Sequence, residues 1–119
     1  MRDMEKFESL KKNRDFGEVY RKGRSYGNRL FVMIVLEQGQ NHRGRVGISV
    51  SKKVGNSVIR HRLKRRIREI FRLSASSWKD NCDYVIIVRK NAADKDYHQI
   101  EKALKALGKR LEVYTEDFE

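Results

Sequence analysis

The chain of 119 residues contains no proline, no low-complexity tract and no internal repeat, so nothing in it reads as a linker or a second domain. Residues 1–119 are expected to form a single domain, long enough to bury roughly two-thirds of its unfolded surface. A lone cysteine, Cys82, excludes an internal disulfide and gives no sign of an oxidising compartment. No apolar run approaches the ~20 residues that cross a bilayer, and the charged start MRDMEKFESLKKN lacks the apolar core of a signal peptide. A cytoplasmic protein without a membrane partner is expected. Acids are scarce beside bases: 16 Asp and Glu stand against 28 Lys and Arg, a net charge of +12. That balance suits a nucleic-acid partner, although an anionic membrane surface would satisfy it too. A hydrophobic content of 39%, with five Phe, five Tyr and one Trp, excludes a disordered basic tail.

Catalytic signatures are missing as well. There is no GxxxxGK(S/T) loop and no GxGxxG, and Cys82 lies in no nucleophile motif. His42, His61 and His98 have no ligand spacing with one another or with Cys82, so no metal site is expected. The acids are scattered, with no evident acid/base pair. If the chain takes part in catalysis, it is expected to do so by holding a nucleic acid for another catalyst, and no catalytic residue is assigned to it.

What is present is concentrated between Arg60 and Arg72. RHRLKRRIREIFR holds seven basic residues in thirteen against one acid, Glu69. On a helix, Ile59, Leu63, Ile67, Ile70 and Phe71 share one face. Lys64, Arg65, Arg68 and Arg72 crowd the opposite one, with His61 and Arg62 at the margins. Four like-charge i,i+4 pairs follow: Arg60/Lys64, Arg62/Arg66, Lys64/Arg68 and Arg68/Arg72. At roughly 0.2–0.5 kcal/mol each they cost the free helix about 1–2 kcal/mol, and Arg65/Glu69 offsets little of it. Arg60 and Arg62 also stand near the helix start, where the macrodipole prefers acids. A polyanion that neutralises the helix accounts for this arrangement, where a merely solvated face would intersperse Glu. Gly55-Asn56-Ser57 reads as a turn and cap whose freed amides favour an anion, with Lys52, Lys53 and Arg60 close in sequence.

Around this helix the pattern predicts α-β-β-α-β-α. Asn13 is a candidate cap for a short helix with Phe16, Val19 and Tyr20 at i, i+3, i+4, stopped by Gly23. Residues 30–36 (LFVMIVL) form a β-rich run. Val46, Ile48 and Val50 alternate with small residues, and the two runs most simply pair as an antiparallel hairpin. An extra short strand is expected at about 24–28. Residues 84–88 (YVIIV) are apolar on both faces, as in a covered or central strand. Trp78 is expected to pack onto the domain from the loop at 74–80. Asp94 or Asp96 would cap a last helix on which Tyr97, Ile100, Ala103, Leu104, Leu107, Leu111 and Tyr114 share a stripe. A helix between the second long strand and YVIIV implies a crossover and a mixed sheet. Phe16 and Tyr20, one turn apart, fit either a stacking platform for unpaired bases or packing of the first helix on the sheet; spacing alone favours packing.

The run RVGISVSKKVGNSVIRHRLKRRIREIFR resembles the signature of the bacterial ribonuclease P protein subunit, a family that typically shows GxSVSKKxGNAVxRNRxKRxxRExF. LKKNRDFGEVYRKGRSYGNRLFV is similar to that family's aromatic-bearing helix followed by NRxFV, and the likeness extends loosely through DYVIIVRKNAA to the last helix. The resemblance implies an α/β (α+β) two-layer sandwich around a mixed, about four-stranded sheet, with a left-handed βαβ crossover where the general rule is right-handed. It also implies that the chain binds a large catalytic RNA and the 5′ leader of precursor tRNA, aiding Mg²⁺-dependent removal of the leader. The active site and its Mg²⁺ would lie in the RNA, and no obligate protein partner is implied. By matching position, Arg60, Arg62, Lys64, Arg65 and Arg68 are the basic-motif RNA contacts, flanked by Lys52, Lys53 and Asn56. Phe16 and Tyr20 match the cleft aromatics that meet the leader, with Arg89 at the rim.

Two positions depart from the family pattern. His61 replaces the usual Asn and makes the motif titratable, so that binding would strengthen slightly as pH falls. Ile34 stands where a cleft aromatic is often found, removing one stacking surface. The rival readings are a small ribosomal or assembly-type RNA binder, which would not distinguish precursor from mature tRNA, and a nuclease that cuts without an RNA partner. A membrane-surface role ranks last.

Overall fold

The sequence folds around a mixed sheet with helices on both of its faces. A computed structural model describes residues 6–116. In chain order it contains β1 (Glu8–Ser9), α1 (Asn13–Lys22), β2 (Arg24–Gly27), β3 (Phe31–Glu37), β4 (Arg45–Ser49), α2 (Ser57–Leu73), β5 (Cys82–Val88) and α3 (Tyr97–Arg110), with short 3-10 turns at Ala75–Ser77 and Lys90–Ala92. The five strands are ordered β1-β4-β5-β3-β2. β5 runs antiparallel to β3 and parallel to β4, with Val32 opposite Ile87 and Ile48 opposite Ile86.

The expected hairpin between β3 and β4 is therefore not formed, because β5 separates them. β5 pairs with β3 from Cys82 to Val88 and with β4 from Asp83 to Ile87. Tyr84, Ile86 and Val88 enter the larger core while Val85 packs into the smaller one on the other face, so both sides of the strand need cover. The hairpin partner of β3 is instead β2, the short strand expected near 24–28. Asn28 closes that turn: its Oδ1 accepts from the N–H groups of Leu30 and Phe31 (both 3.0 Å), and its Nδ2 donates to the Ala103 carbonyl (3.1 Å). The two-residue β1, paired in parallel with β4, brings the strand number to five where about four were expected.

The mixed α+β architecture is as expected, and its helices are divided between the two faces of the sheet. α2 and α3 bury Leu63, Ile67, Ile70, Phe71, Ile100, Leu104 and Leu107 against Phe31, Met33, Val35, Ile48, Tyr84 and Ile86. Full burial of each such side chain stabilises by about 1.5–3 kcal/mol. Trp78 packs inside this core, stacked on Phe71 (centroids 4.4 Å) and tilted against Tyr114 (4.7 Å). α1 covers the other face, where Val19 meets Leu10, Ile34 and Val85.

The helix ends follow local chemistry with two differences. α1 is capped by Lys12 without a side-chain bond, and Asn13 is already helical, because the Lys12 carbonyl accepts from Asp15 and Phe16. Gly23 ends it, since a Cβ there would lie 2.7 Å from the Val19 carbonyl oxygen and 2.8 Å from Ile34. Asn56 caps α2 by accepting from the Ile59 N–H (3.0 Å). Asp96, not Asp94, caps α3 in a reciprocal capping box with Gln99. α3 stops at Arg110, short of Leu111 and Tyr114. There Glu112 takes φ 62° and the Val113 N–H returns to the Gly108 carbonyl (2.9 Å), turning Leu111, Val113 and Tyr114 into the core without further helix.

Candidate RNA interface

On α2 the apolar stripe that reaches the core leaves the cations on two flanks and the outer face. His61, Arg65, Arg68 and Arg72 are exposed, while Arg60 and Lys64 are half-buried. Lys52, Lys53 and Asn56 are exposed just before the helix. Several cations elsewhere on the surface meet acids, as in Lys22–Glu18 (3.4 Å), Arg24–Glu37 (3.5 Å) and Lys105–Glu101 (2.7 Å). Among the described residues no ion pair joins Arg60, Arg62, Lys64, Arg65 or Arg68 to a carboxylate, and Glu69 is taken by Arg72 in a two-bond fork (3.2 and 2.8 Å). Among the described residues the motif's charge finds no carboxylate to neutralise it.

The five motif residues are not equivalent. Arg60 is anchored, its Nε donating to the Gly55 carbonyl at the start of the helix (3.1 Å). Arg62 shares its flank with Arg66, whose guanidinium donates to the Lys95 carbonyl (3.1 Å), and the buried Arg62 Nε has no hydrogen-bond partner. Arg62 thus lies on the flank that Arg66 joins to the Lys95 carbonyl, away from the flank of Lys64 and Arg68.

On the opposite face of the sheet, α1 holds Phe16 and Tyr20 with ring centroids 6.3 Å apart and planes at 47°. Phe16 is half-buried against Gly47 of β4, where a Cβ would fall 2.6 Å from the ring, so only glycine admits it. Tyr20 is 47% exposed, so packing absorbs one ring of the pair and leaves much of the other open. Val32, Ile34 and Ile87 pack in the same apolar cluster, and Ile34 is nearly buried in it, beneath Gly23. Arg89, exposed after β5, donates to the Asn28 carbonyl (3.2 Å) at the β2–β3 turn. Phe16, Tyr20 and Arg89 thus lie on one face of the sheet.

The periodicity did not reveal what anchors this cleft. Arg45 on β4 grips Asp83 on β5 through two bonds (3.0 and 2.8 Å) and reaches Asp15 on α1 with a third (3.1 Å). Gln38 donates to the same carboxylate (2.9 Å), and His42 Nε2 lies 2.8 Å from it. Asp83 is fully buried. Burial opposes its ionisation, but the bonds from Arg45, Gln38 and His42 outweigh that and hold its pKa below the usual carboxylate value. Asp83 and Asp15 in turn raise Arg45 further, against its partial burial. The only available signal was a charged residue at a strand position in each of RVGIS and CDYVIIV.

Other chemistry is sparse. Burial pushes the Cys82 thiol up, away from thiolate reactivity. Among the described residues no group of three or more His, Cys, Asp or Glu comes together to hold a metal ion, and no helix is long and apolar enough to cross a membrane.

An α/β sandwich with an uncompensated basic helix on one face and an aromatic-bearing cleft on the other is a nucleic-acid-binding protein. Comparison with known proteins makes this particular. The family model described as Ribonuclease P matches residues 4–112. The ribonuclease P protein component of Clostridium novyi is 47% identical over 113 residues, covering 94% of this chain and all of that protein. That of Bacillus pumilus is 41% identical, covering 95% of each chain. Among solved structures, the Staphylococcus aureus RNase P protein superposes with a TM-score of 0.81 at 39% identity, over 90% of this chain and 97% of that one. The Thermotoga maritima protein gives 0.78 at 34%, over 87% and 96%. The chain belongs to the ribonuclease P protein family. It is the protein component of an endoribonuclease that acts in tRNA 5′ processing, and its partner is RNA. The ribosomal or assembly-type alternative is set aside.

Proposed function

We propose that α2 binds the catalytic RNA through its phosphates while the α1 cleft holds the 5′ leader of precursor tRNA. The observation that carries the reading is the concentration of unpaired charge on one helix: among the described residues Arg60, Arg62, Lys64, Arg65 and Arg68 make no ion pair with a carboxylate, and the helix's one acid, Glu69, is taken by Arg72. Lys64, Arg65 and Arg68 are the principal phosphate contacts, with Lys52 and Lys53 extending the track and Arg60 held in place by Gly55. Asn56 spends its oxygen on the cap and keeps its amide for RNA. Arg62 contributes from the flank it shares with Arg66. In the cleft, Tyr20 offers an open ring, Phe16 supports it, and Arg89 supplies charge at the rim. Because α1 and α2 cover opposite faces of one sheet, both RNAs can be held at once.

As the family resemblance implies, Mg²⁺ would be held by the RNA partner, where it would activate water and stabilise the leaving oxygen. The protein's part is positional and electrostatic: its cations screen RNA–RNA repulsion and lower the Mg²⁺ needed for binding and cleavage. Acting on precursor tRNA would place it in the cytoplasm. The test mixes the protein with a bacterial ribonuclease P RNA and labelled precursor tRNA at low millimolar Mg²⁺. Cleavage at the mature 5′ end only with both macromolecules is expected. Cleavage by the protein alone, or tight RNA binding without stimulation, would overturn the reading.

A further inference from the structure

We propose that a pocket between β1 and the C-terminal half of α2 receives one unpaired nucleotide of the RNA partner, its base on an apolar floor and its phosphate at Arg68 and Arg72. The pocket has a volume of about 170 Å³ and is lined by Phe7, Ser9, Val46, Arg68, Phe71 and Arg72, together with Glu8. Cavities of about 150 Å³ admit a six-membered aromatic ring. The inference rests on the α2 phosphate reading and deepens it by naming a base-binding site beside those phosphates.

The floor is rigid. Phe71 and Val46 are nearly buried core residues. Phe7 stands edge-on to Phe71 (centroids 5.6 Å, planes at 86°) and to Tyr84 (5.8 Å, 88°). Behind it Gly44 leaves only 3.1 Å between a would-be Cβ and the ring, so the Phe7 plane is set before anything binds. A half-buried ring of fixed orientation suits a flat base, whose stacking is insensitive to sequence.

The rim is built for an anion. Glu69 orients Arg72 through its two-bond fork, and Arg68 has no ion pair among the described residues. The one acid among the lining residues, Glu8, is drawn off by Arg43 (2.8 Å). β1 adds polarity on the remaining side. Glu8 donates to the carbonyl of Gly44, just before β4, and Leu10 to that of Val46 within it, so the N–H and C=O of Ser9 between them point away from the sheet. One donor and one acceptor at the mouth of an apolar slot match the hydrogen-bonding edge of a base. A lipid chain or an apolar peptide side chain would use the floor and leave both arginines and the Ser9 backbone without a role.

Two measurements test this on the full chain. In the first, ¹⁵N-labelled protein is titrated with adenosine 5′-monophosphate, ribose 5-phosphate and inorganic phosphate. The Phe7, Glu8, Ser9 and Phe71 amides should shift saturably with the nucleotide, at an affinity about fivefold or more above that for ribose 5-phosphate. In the second, affinity for ribonuclease P RNA is measured against salt for Phe7→Leu and Arg68→Gln, with folding checked through Trp78 fluorescence. Phe7→Leu should weaken binding about fivefold or more at every salt concentration with the slope unchanged, whereas Arg68→Gln should flatten the slope by about 1. Equal response to all three small molecules, or a folded Phe7→Leu with unaltered RNA affinity, overturns the pocket while the phosphate reading stands. Failure of Arg68→Gln to flatten the slope counts against both. If Phe7→Leu unfolds, the titration decides alone.

Discussion

Replacing Arg45 with methionine keeps the length and apolar stem of the side chain but leaves Asp83 without its cation. In the native protein Arg45 makes two of the bonds to that carboxylate, at 3.0 and 2.8 Å, and only the Gln38 and His42 contacts would remain. The Asp83 side chain is 1% exposed, so water cannot take the place of the guanidinium. Removing one partner of a buried pair typically costs about 3–5 kcal/mol, a large share of the roughly 5–15 kcal/mol that holds a domain together. Urea unfolding followed through Trp78, the sole tryptophan and stacked in the core, measures the loss. The pH dependence separates this account from a packing defect. Native Asp83 titrates below its unfolded value, so its contribution is complete above about pH 4 and is lost as pH falls through the folded value. In Arg45→Met, burial dominates and raises the Asp83 pKa above the unfolded value. Protonation then relieves the buried charge, and the stability gap should narrow as pH falls from 7 towards 4. A gap below about 1 kcal/mol at pH 7, or one that does not change with pH, would refute the reasoning.

The α2 face should behave as a polyelectrolyte contact: with about five phosphates neutralised, log affinity for RNA should fall with log salt at a slope near −4, and a slope shallower than about −2 would count against it. Arg60→Ala with Arg68→Ala should flatten that slope by about 2 while costing no more than about 1.5 kcal/mol of stability, the worth of the Arg60–Gly55 bond; unfolding of the double variant would make these residues structural. Gly47→Ala should push Phe16 out of its seat and reduce the preference for precursor over mature tRNA, leaving binding to the catalytic RNA unchanged in filter-binding assays. Glu112, exposed at φ 62°, occupies a position glycine favours, so Glu112→Gly should raise the urea midpoint by up to about 1 kcal/mol of stability.

Features set by neighbours along the chain were legible before the structure was known. The α2 stripe of Ile59, Leu63, Ile67, Ile70 and Phe71 and its crowding of cations are properties of a 3.6-residue repeat, and the Asn56 cap is a contact over three residues. The long motif through RVGISVSKKVGNSVIRHRLKRRIREIFR carried the family by resemblance, and the comparisons bear that out. α3 was legible to the point where its apolar stripe outran it, because a stripe records which residues are buried and Leu111 and Tyr114 are buried by a turn.

Strand order was not legible, because pairing joins segments far apart in the chain and each strand alone is compatible with several neighbours. YVIIV announced that both its faces are covered, yet only the assembled sheet placed it between β3 and β4, where the hairpin expected of those two is impossible. The same non-local packing made Arg45 the link between Asp15 and Asp83, set Phe16 over Gly47 and left the buried Arg62 Nε without a hydrogen-bond partner. It also brought Phe7 beside Arg68 across more than half the chain. The amino-acid sequence by itself determined the crowding of cations on α2 beside its apolar stripe, since charge and helical period are local. Tertiary structure alone decided which side chains are held, which remain free and which pocket they enclose, since those depend on which faces must be hidden from water together.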